Sequence, residues 1–236
     1  MLIGTKKRVQ EIEDVLPIIY IKATPLSRAP VCRNLGLLMD ENLRFEEHVN
    51  EIVRSCFFKL KVLYQIRPFI SVDVRIKLCE ALILSRLNHC LFVYGPCLFK
   101  KTFRLLQRVQ NSCARFCFPI PPRTHVTPYL NKAGILKIDG RMKLHICSLL
   151  FGIINSGKPK YLADKLTWRN HERVRGCTAP LSIPHHKTVA FKGSFKYFAT
   201  KCWNNIPPPV RNMKTRTGFK KNFKEHLRNL QRGTSK

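Results

Sequence analysis

Acidic residues are scarce in this chain, and they become rare after residue 80. The sequence holds 14 Asp and Glu against 43 Lys and Arg, a formal net charge of +29. Residues 81–236 hold 30 basic and only four acidic residues, a net charge of +26. Because like charges repel one another in a compact fold, this excess indicates an anionic partner. Nucleic acid is the favoured partner, since each neutralised phosphate releases counterions. An anionic membrane is the rival, but it usually requires a lipid anchor or an exposed apolar helix face.

The sequence also lacks the residues that polymerase chemistry requires. Two-metal nucleotidyl transfer needs several carboxylates that converge on divalent ions. The carboxylates after residue 80 are widely separated in sequence: Asp139, Asp164, Glu172 and Glu225. No Asp-Asp pair and no glycine-rich phosphate loop occurs anywhere in the chain. The sequence therefore predicts no catalytic residue and no cofactor site.

Export and membrane signals are missing as well. No apolar run reaches the length of a membrane span, and no secretory signal is recognisable. We therefore expect an intracellular protein of the nucleus or the cytoplasm that is not secreted and does not bind membranes. The ten cysteines are then expected to be reduced thiols. A zinc site at Cys113 and Cys117 is the alternative. Further potential ligands lie near these two residues in sequence: His89, Cys90, Cys97 and His125.

A small hairpin is predicted near the amino end. Residues 15–24 and 31–39 are apolar runs on either side of a turn-like link, Pro25 to Pro30. We expect these two runs to pair as antiparallel strands. Most of the remaining sequence has helical periodicity. The predicted fold class is therefore mainly α, a helical bundle with a small amino-terminal β-hairpin and an irregular, basic helical tail.

Two helices are predicted to follow the hairpin. Asp40 or Asn42 is expected to cap the first, and Pro68 to end it. The core face of that helix steps by three and four residues: Phe45, Val49, Ile52, Cys56, Leu60 and Leu63. Ser71 is expected to cap the second helix. Residues 74–94 are apolar on nearly every side, which is typical of a helix at the centre of a bundle.

Further helices are predicted at about 99–118, 138–155 and 195–205, and Thr217 is expected to cap a last one. The predicted core face of this last helix is Phe219, Phe223, Leu227 and Leu230. The segment 169–194 is polar, basic and irregular in pattern. Three regions are therefore expected: the hairpin region, 1–40; a helical bundle, 41–168; and a basic carboxy-terminal region with two short helices, 169–236.

Two of the predicted helices carry basic faces opposite their core faces. The candidate nucleic-acid-binding residues are Lys101, Arg104, Arg108 and Arg115 on the helix at 99–118, and Lys220, Lys221, Lys224 and Arg228 on the last helix. Most charged helix faces are solvated surface, and that is the alternative interpretation. The interspersed acids of ordinary surfaces are absent here, which favours a binding role.

Aromatic residues near lysines form a further candidate site. The residues concerned are Tyr197, Phe198 and Trp203, close in sequence to Lys192, Lys196 and Lys201. Aromatic rings stack on unpaired bases. At helical spacing, Phe198 and Trp203 are more often core residues, so both interpretations stay open.

Several stretches then occur in an order that is similar to a known family. They are NLGLLMDENLRFEEHVNEIVRSCFFKLKVLYQIRPFIS (34–71), SRLNHCLFVYG (85–95), LLQRVQNSCARF (105–116), THVTPYL (124–130), FKYFATKCWNNIPPPVR (195–211) and FKKNFKEHL (219–227). This series resembles the region after the palm of jockey-type non-LTR retrotransposon (LINE) reverse transcriptases. The first stretch matches the family's pattern at Leu35, Gly36, Asp40, Phe45 and His48, among others. In the second stretch, Asn88 and His89 depart from the family's pattern.

The resemblance implies that the chain holds the end of a palm sheet at 1–40, followed by the thumb helices and the carboxy-terminal region of an RNA-directed DNA polymerase. It places the catalytic aspartates, and the divalent metal that they would bind, outside this chain. No catalytic residue, cofactor or metal ligand is therefore carried over. Because the thumb of such an enzyme holds its template by the backbone, the implied partners are RNA and DNA, as an RNA–DNA heteroduplex, together with the palm and fingers of a parent polymerase.

Two other hypotheses fit the same residues. In one, the chain is a stand-alone basic module that binds nucleic acid. In the other, it is a decayed remnant of an element with no current activity.

Overall fold

The structure is a computed structural model, and it describes residues 1–13, 15–169 and 181–233. It is mainly helical with a small β region near the amino end, which confirms the predicted fold class. The helices are α1 (Lys6–Glu13), α2 (Glu46–Ile66), α3 (Val72–Cys79), α4 (Ser85–Asn88), α5 (Leu91–Tyr94), α6 (Lys100–Cys117), α7 (Thr127–Lys132), α8 (Ile138–Ser156), α9 (Lys160–Ala163), α10 (Phe195–Asn204), α11 (Pro208–Arg211) and α12 (Arg216–Gly233). The strands are β1 (Tyr20–Ile21), β2 (Thr24–Pro25), β3 (Val31–Asn34) and β4 (Leu37–Asp40).

The strand pairing differs from the predicted hairpin. Each of the two predicted strands contains its own tight turn, so β1 pairs with β2 and β3 pairs with β4. The second turn lies at Leu35 and Gly36, whose φ angles are 47° and 84°. Glycine adopts this left-handed conformation at little cost, which makes the Leu-Gly pair a turn rather than the middle of a strand. The expected pairing of 15–24 with 31–39 is therefore wrong.

Helix α2 begins later than the sequence suggests. The Asp40 carboxylate accepts hydrogen bonds from the backbone N–H groups of Asn42, Arg44 and Phe45, the last at 2.6 Å. Asp40 therefore fixes the turn that leads into the helix instead of capping its first residue. The predicted core face is confirmed, because all six of its residues are buried. His48, on the same side, accepts a hydrogen bond from the Leu38 N–H at 3.3 Å and holds β4 against α2.

The predicted continuous helix through 74–94 is interrupted. Ser71 does cap α3, since its hydroxyl accepts from the Val74 N–H. A π-helical turn at Glu80–Leu84 then leads into α4. Cys90 adopts a left-handed φ of 52° and separates α4 from α5. This break carries neither glycine nor proline, so the apolar pattern gave no sign of it.

Helices α6 and α8 agree with the prediction to within one or two residues. Pro119 follows α6, and Gly157, with φ 66°, ends α8. The two helices are joined by amide side chains of α6: Gln110 donates to the Leu136 carbonyl at 2.8 Å, and Gln107 accepts from the Ile138 N–H at 3.2 Å. These bonds satisfy backbone groups at the start of α8 and fix its position on α6.

Two hydrophobic cores meet along α8. The first lies between α2, α3 to α6 and the beginning of α8. The second joins the rest of α8 to α10 and α12. Its centre is a stack of rings in which Phe219 of α12 lies 4.5 Å from Phe151 of α8 and 5.7 Å from Trp203 of α10, between ring centroids. The two carboxy-terminal helices are therefore packed onto the bundle by a large aromatic contact.

Helix α12 has a different cap and a different final core residue from those predicted. Thr215, not Thr217, accepts from the Gly218 N–H, at 3.1 Å, and precedes the helix. Leu230 is exposed, and Gln231 is buried in its place. The Gln231 amide accepts from the Lys137 N–H at 2.8 Å and donates to Asn131 at 2.7 Å, which ties the end of α12 to the α7–α8 connection.

Part of the predicted irregular segment at 169–194 lies outside the described residues. Within the ranges that the structure describes, no helix combines the length and the apolar character needed to cross a bilayer.

Candidate nucleic-acid interface

The outer face of α6 carries a row of three exposed cations. Lys101, Arg104 and Arg108 lie opposite the buried residues of that helix, among them Leu106, Val109 and Cys113. In the part of the chain that the structure describes, no carboxylate oxygen lies within 4 Å of these three side chains. The row therefore presents uncompensated positive charge to solvent.

Arg115, the fourth predicted residue on α6, is held differently. It is half-buried, and its guanidinium donates to the carbonyl oxygens of Pro121 at 3.0 Å and Thr124 at 3.2 Å. These bonds fix the loop that follows α6. A guanidinium has five N–H donors, so two bonds leave three for another ligand. Arg115 thus combines a structural contact with a fixed positive charge.

Helix α12 presents a second basic surface. Lys220, Lys221 and Lys224 are exposed, and none has a carboxylate within 4 Å among the described residues. Arg228 is half-buried and lies 3.7 Å from the Glu225 carboxylate, so part of its charge is compensated. Of the four predicted residues on α12, the first three form the exposed row.

The two basic rows stand on different helices that both pack against α8. Helix α6 also packs on α2 and α3, whereas α12 also packs on α7 and α11. Beside the α6 row, Lys100 and Arg104 line a cleft of about 330 Å³ with Asp139 of α8 and Phe198 of α10. Asp139 pairs with Lys143 at 2.6 Å within the same helix.

A half-buried histidine of α8, His145, lies near the basic surface of α12. Burial lowers the pKa of His145, and the neighbouring cations Lys220 and Arg141 lower it further. Arg141 is itself largely buried, which lowers the pKa of its guanidinium, and it lies 3.4 Å from the Glu80 carboxylate. His145 is therefore expected to be neutral at physiological pH and adds no charge to the lysine row.

A second cleft lies between α2 and α6, and the sequence analysis did not find it. It has a volume of about 410 Å³ and is lined by Phe57, Leu60, Lys61 and Tyr64 of α2 and by Ser112 and Arg115 of α6. A signal was present in the sequence, because Phe57, Lys61 and Tyr64 recur at helical spacing off the core face of α2. Aromatic residues at such positions are not needed for the core.

The aromatic residues of α10 do not form an exposed stacking surface. Trp203 is buried and belongs to the second core, and Phe198 packs partly against both cores. The Tyr197 ring meets the His186 ring edge-on at 4.8 Å. Of the two interpretations left open above, the core role therefore holds for Trp203.

The two cysteines of the zinc alternative are buried in the first core. Cys117 is buried with its sulfur 3.8 Å from that of Cys79, and Cys113 packs in the same core. The hydrogen bond that Cys117 donates to Cys79, together with burial, raises the pKa of Cys117, so its thiol stays protonated. No cluster of three or more His, Cys, Asp or Glu side chains suited to a metal occurs within residues 1–13, 15–169 and 181–233.

No protein-family model, curated protein or solved structure matches the chain. Support for a function therefore comes from the surfaces described above and from the resemblance of the sequence motifs.

Proposed function

We propose that this chain binds nucleic acid through the phosphate backbone, as the thumb and carboxy-terminal part of a non-LTR retrotransposon reverse transcriptase, and does not polymerise on its own. The observation that carries the proposal is the row Lys101, Arg104 and Arg108. These three cations are exposed and aligned, and no carboxylate oxygen of the described residues lies within 4 Å of their charged nitrogens. Unpaired, aligned cations are the footprint of a phosphate-binding surface.

The spacing of the row suits a backbone. An α-helix rises 1.5 Å per residue, so the Cα positions of Lys101, Arg104 and Arg108 are separated along the axis by about 4.5 and 6 Å. Long, flexible side chains at this spacing reach neighbouring phosphates of one strand. Phosphate contacts position a protein on nucleic acid without specifying sequence. We therefore expect little sequence preference. The ligand that we propose is an RNA–DNA heteroduplex, as the resemblance of the sequence motifs implies.

An apolar segment near the amino end supports a polymerase partner. Val15, Ile18 and Ile19 are 80%, 65% and 62% exposed, and Tyr20 and Ile21 of β1 are exposed beside them. Contiguous exposed apolar residues usually mark a surface that packs against another chain or domain. The palm of a parent polymerase is the partner that we propose for this surface, in line with the resemblance at residues 1–40.

Binding to three labelled probes tests the proposal. Fluorescence anisotropy of the purified chain with an RNA–DNA hybrid, duplex DNA and single-stranded RNA is measured between about 50 and about 200 mM salt. We expect binding to the hybrid whose log affinity falls linearly with log salt. Absence of binding to every probe at the lowest salt contradicts the proposal and favours a decayed remnant. Extension of a primer by the chain alone contradicts the part of the proposal that says that the chain does not polymerise on its own.

A further inference from the structure

The cleft between α2 and α6 combines two kinds of side chain that recognise a nucleotide. Phe57 and Tyr64 supply aromatic rings, each 41% exposed, and Lys61 and Arg115 supply positive charge. Among the residues that the structure describes, no carboxylate lines the cleft. Its volume of about 410 Å³ falls within the range of about 300 to 1,000 Å³ that small-ligand sites occupy.

The Tyr64 ring is fixed in place before any ligand arrives. It meets the Phe116 ring edge-on at 5.2 Å, and the Arg67 guanidinium lies 5.7 Å from its centroid. Arg67 is in turn anchored, because it donates to the Phe116 carbonyl at 2.8 Å. A ring held in this way loses little conformational entropy on binding, which favours a stacked ligand.

The positive charges of the cleft lie on both of its walls and continue the basic row of α6. Arg115 is fixed by its two carbonyl acceptors, and Lys61 is exposed on the opposite wall, formed by α2. Arg108 precedes Ser112 and Arg115 by one and two helical turns and therefore lies on the same side of α6. The basic row of α6 thus leads directly to the aromatic cleft.

We propose that this cleft binds one unpaired nucleotide of the nucleic-acid strand that the α6 row holds. The base stacks against Phe57 or Tyr64, and Lys61 and Arg115 contact the adjoining phosphates. The site rests on the proposed function and adds a ligand class to it: a strand end or overhang next to a duplex. Ring stacking accepts every base, so the site discriminates unpaired from paired nucleotides and not one sequence from another.

The test compares two RNA–DNA hybrids that differ only in a short single-stranded overhang. The overhang carries 2-aminopurine, whose fluorescence falls when the base stacks. We expect the full chain to bind the overhang hybrid about tenfold more tightly than the blunt one, as for one stacked base, with quenching on binding. Phe57→Ala and Lys61→Ala are expected to weaken binding of the overhang hybrid more than binding of the blunt hybrid, and so to remove most of this preference.

Phe58→Ala is the matched control. Phe58 is the neighbouring ring, it is 69% exposed, and it does not line the cleft. We expect this variant to retain both the preference and the quenching. Phe57→Trp is expected to retain them as well, because tryptophan supplies an aromatic ring at the same position. The melting temperature of each variant shows that it is folded.

Different failures separate the two proposals. Equal affinity of the wild type for blunt and overhang hybrids overturns the nucleotide site and leaves backbone binding intact. A loss of preference in Phe58→Ala equal to that in Phe57→Ala also overturns the site. Failure to bind either hybrid overturns both.

Discussion

Cations before and after residue 80 have different surroundings. In the first part, several are paired with carboxylates: Lys7 with Glu11, Arg28 with Glu41, and Arg33 with Glu51. In the second part, the exposed cations of α6 and α12 face solvent with no such partner among the described residues. Both parts are built from amphipathic helices on apolar cores. The proposed function accounts for this difference, because it assigns the unpaired rows of α6 and α12 to a ligand, whereas the paired cations of the first part serve the fold.

The largest expected effect tests whether the second part has a core of its own. Phe219 is fully buried within the ring stack of α8, α10 and α12. We expect Phe219→Ala to lower the free energy of unfolding by about 3–5 kcal/mol, because it removes a large buried ring and leaves a cavity. Urea unfolding followed by circular dichroism measures the loss. Lys214→Ala, an exposed residue before α12, is the control. A loss below about 1 kcal/mol contradicts a packed second core, since that is the scale of surface changes.

The next expected effect is a loss of stability at low pH, which tests the burial of His48 in the first part. Burial lowers the pKa of His48 below its ordinary value, and the cations Arg86 and Arg33 lower it further against the opposing effect of Glu51. The unfolded chain therefore binds a proton more readily than the folded one, and stability falls as pH drops below about 6.5, the ordinary histidine pKa.

Unfolding by urea at about pH 7.5 and about pH 5.5 checks this expectation, in a range that leaves carboxylates ionised. His48→Gln is expected to reduce the acid loss, and His145→Gln to reduce the remainder, since burial lowers the pKa of His145 as well. Greater stability at the lower pH would contradict the assignment of neutral, buried imidazoles.

The smallest expected effect concerns a paired cation of the first part. Arg33 lies 2.8 Å from the Glu51 carboxylate at the surface. Exposed ion pairs contribute about 0–1 kcal/mol, so we expect Arg33→Ala to change the free energy of unfolding by less than that. It is also expected to leave the affinity for an RNA–DNA hybrid unchanged. A loss of binding comparable to that of an α6 variant would break the distinction between the two parts.

Much of the bundle follows from the sequence, and its irregular parts do not. Helices α6 and α8 are bounded by Pro119 and Gly157, and their apolar faces recur at helical spacing, so their limits were predictable. The break at Cys90 depends on a backbone conformation that no local residue signals. The sequence predicted Asp40 as a helix cap, but its carboxylate stabilises a turn before α2, and that turn sets where the helix begins.

The candidate site divides in the same way. Exposure of Lys101, Arg104 and Arg108 follows from the helical pattern of α6 alone. The half-buried state of Arg115 depends on carbonyl groups of a loop that the pattern does not position. The cleft with Phe57 and Tyr64 arises where α2 and α6 meet, about fifty residues apart in sequence. Periodicity along the sequence does not predict contacts between segments that are far apart in sequence.

The most direct test of the account compares two charge-matched double variants on the same RNA–DNA hybrid. Arg104→Ala with Arg108→Ala removes two unpaired cations of the second part, and Lys7→Ala with Arg8→Ala removes two cations of α1 in the first part. The slope of log affinity against log salt is expected to flatten by up to about 0.9 per lost phosphate contact in the α6 variant and to stay at the wild-type value in the α1 variant. Equal slopes in the two variants would contradict the assignment of the α6 row to phosphate binding.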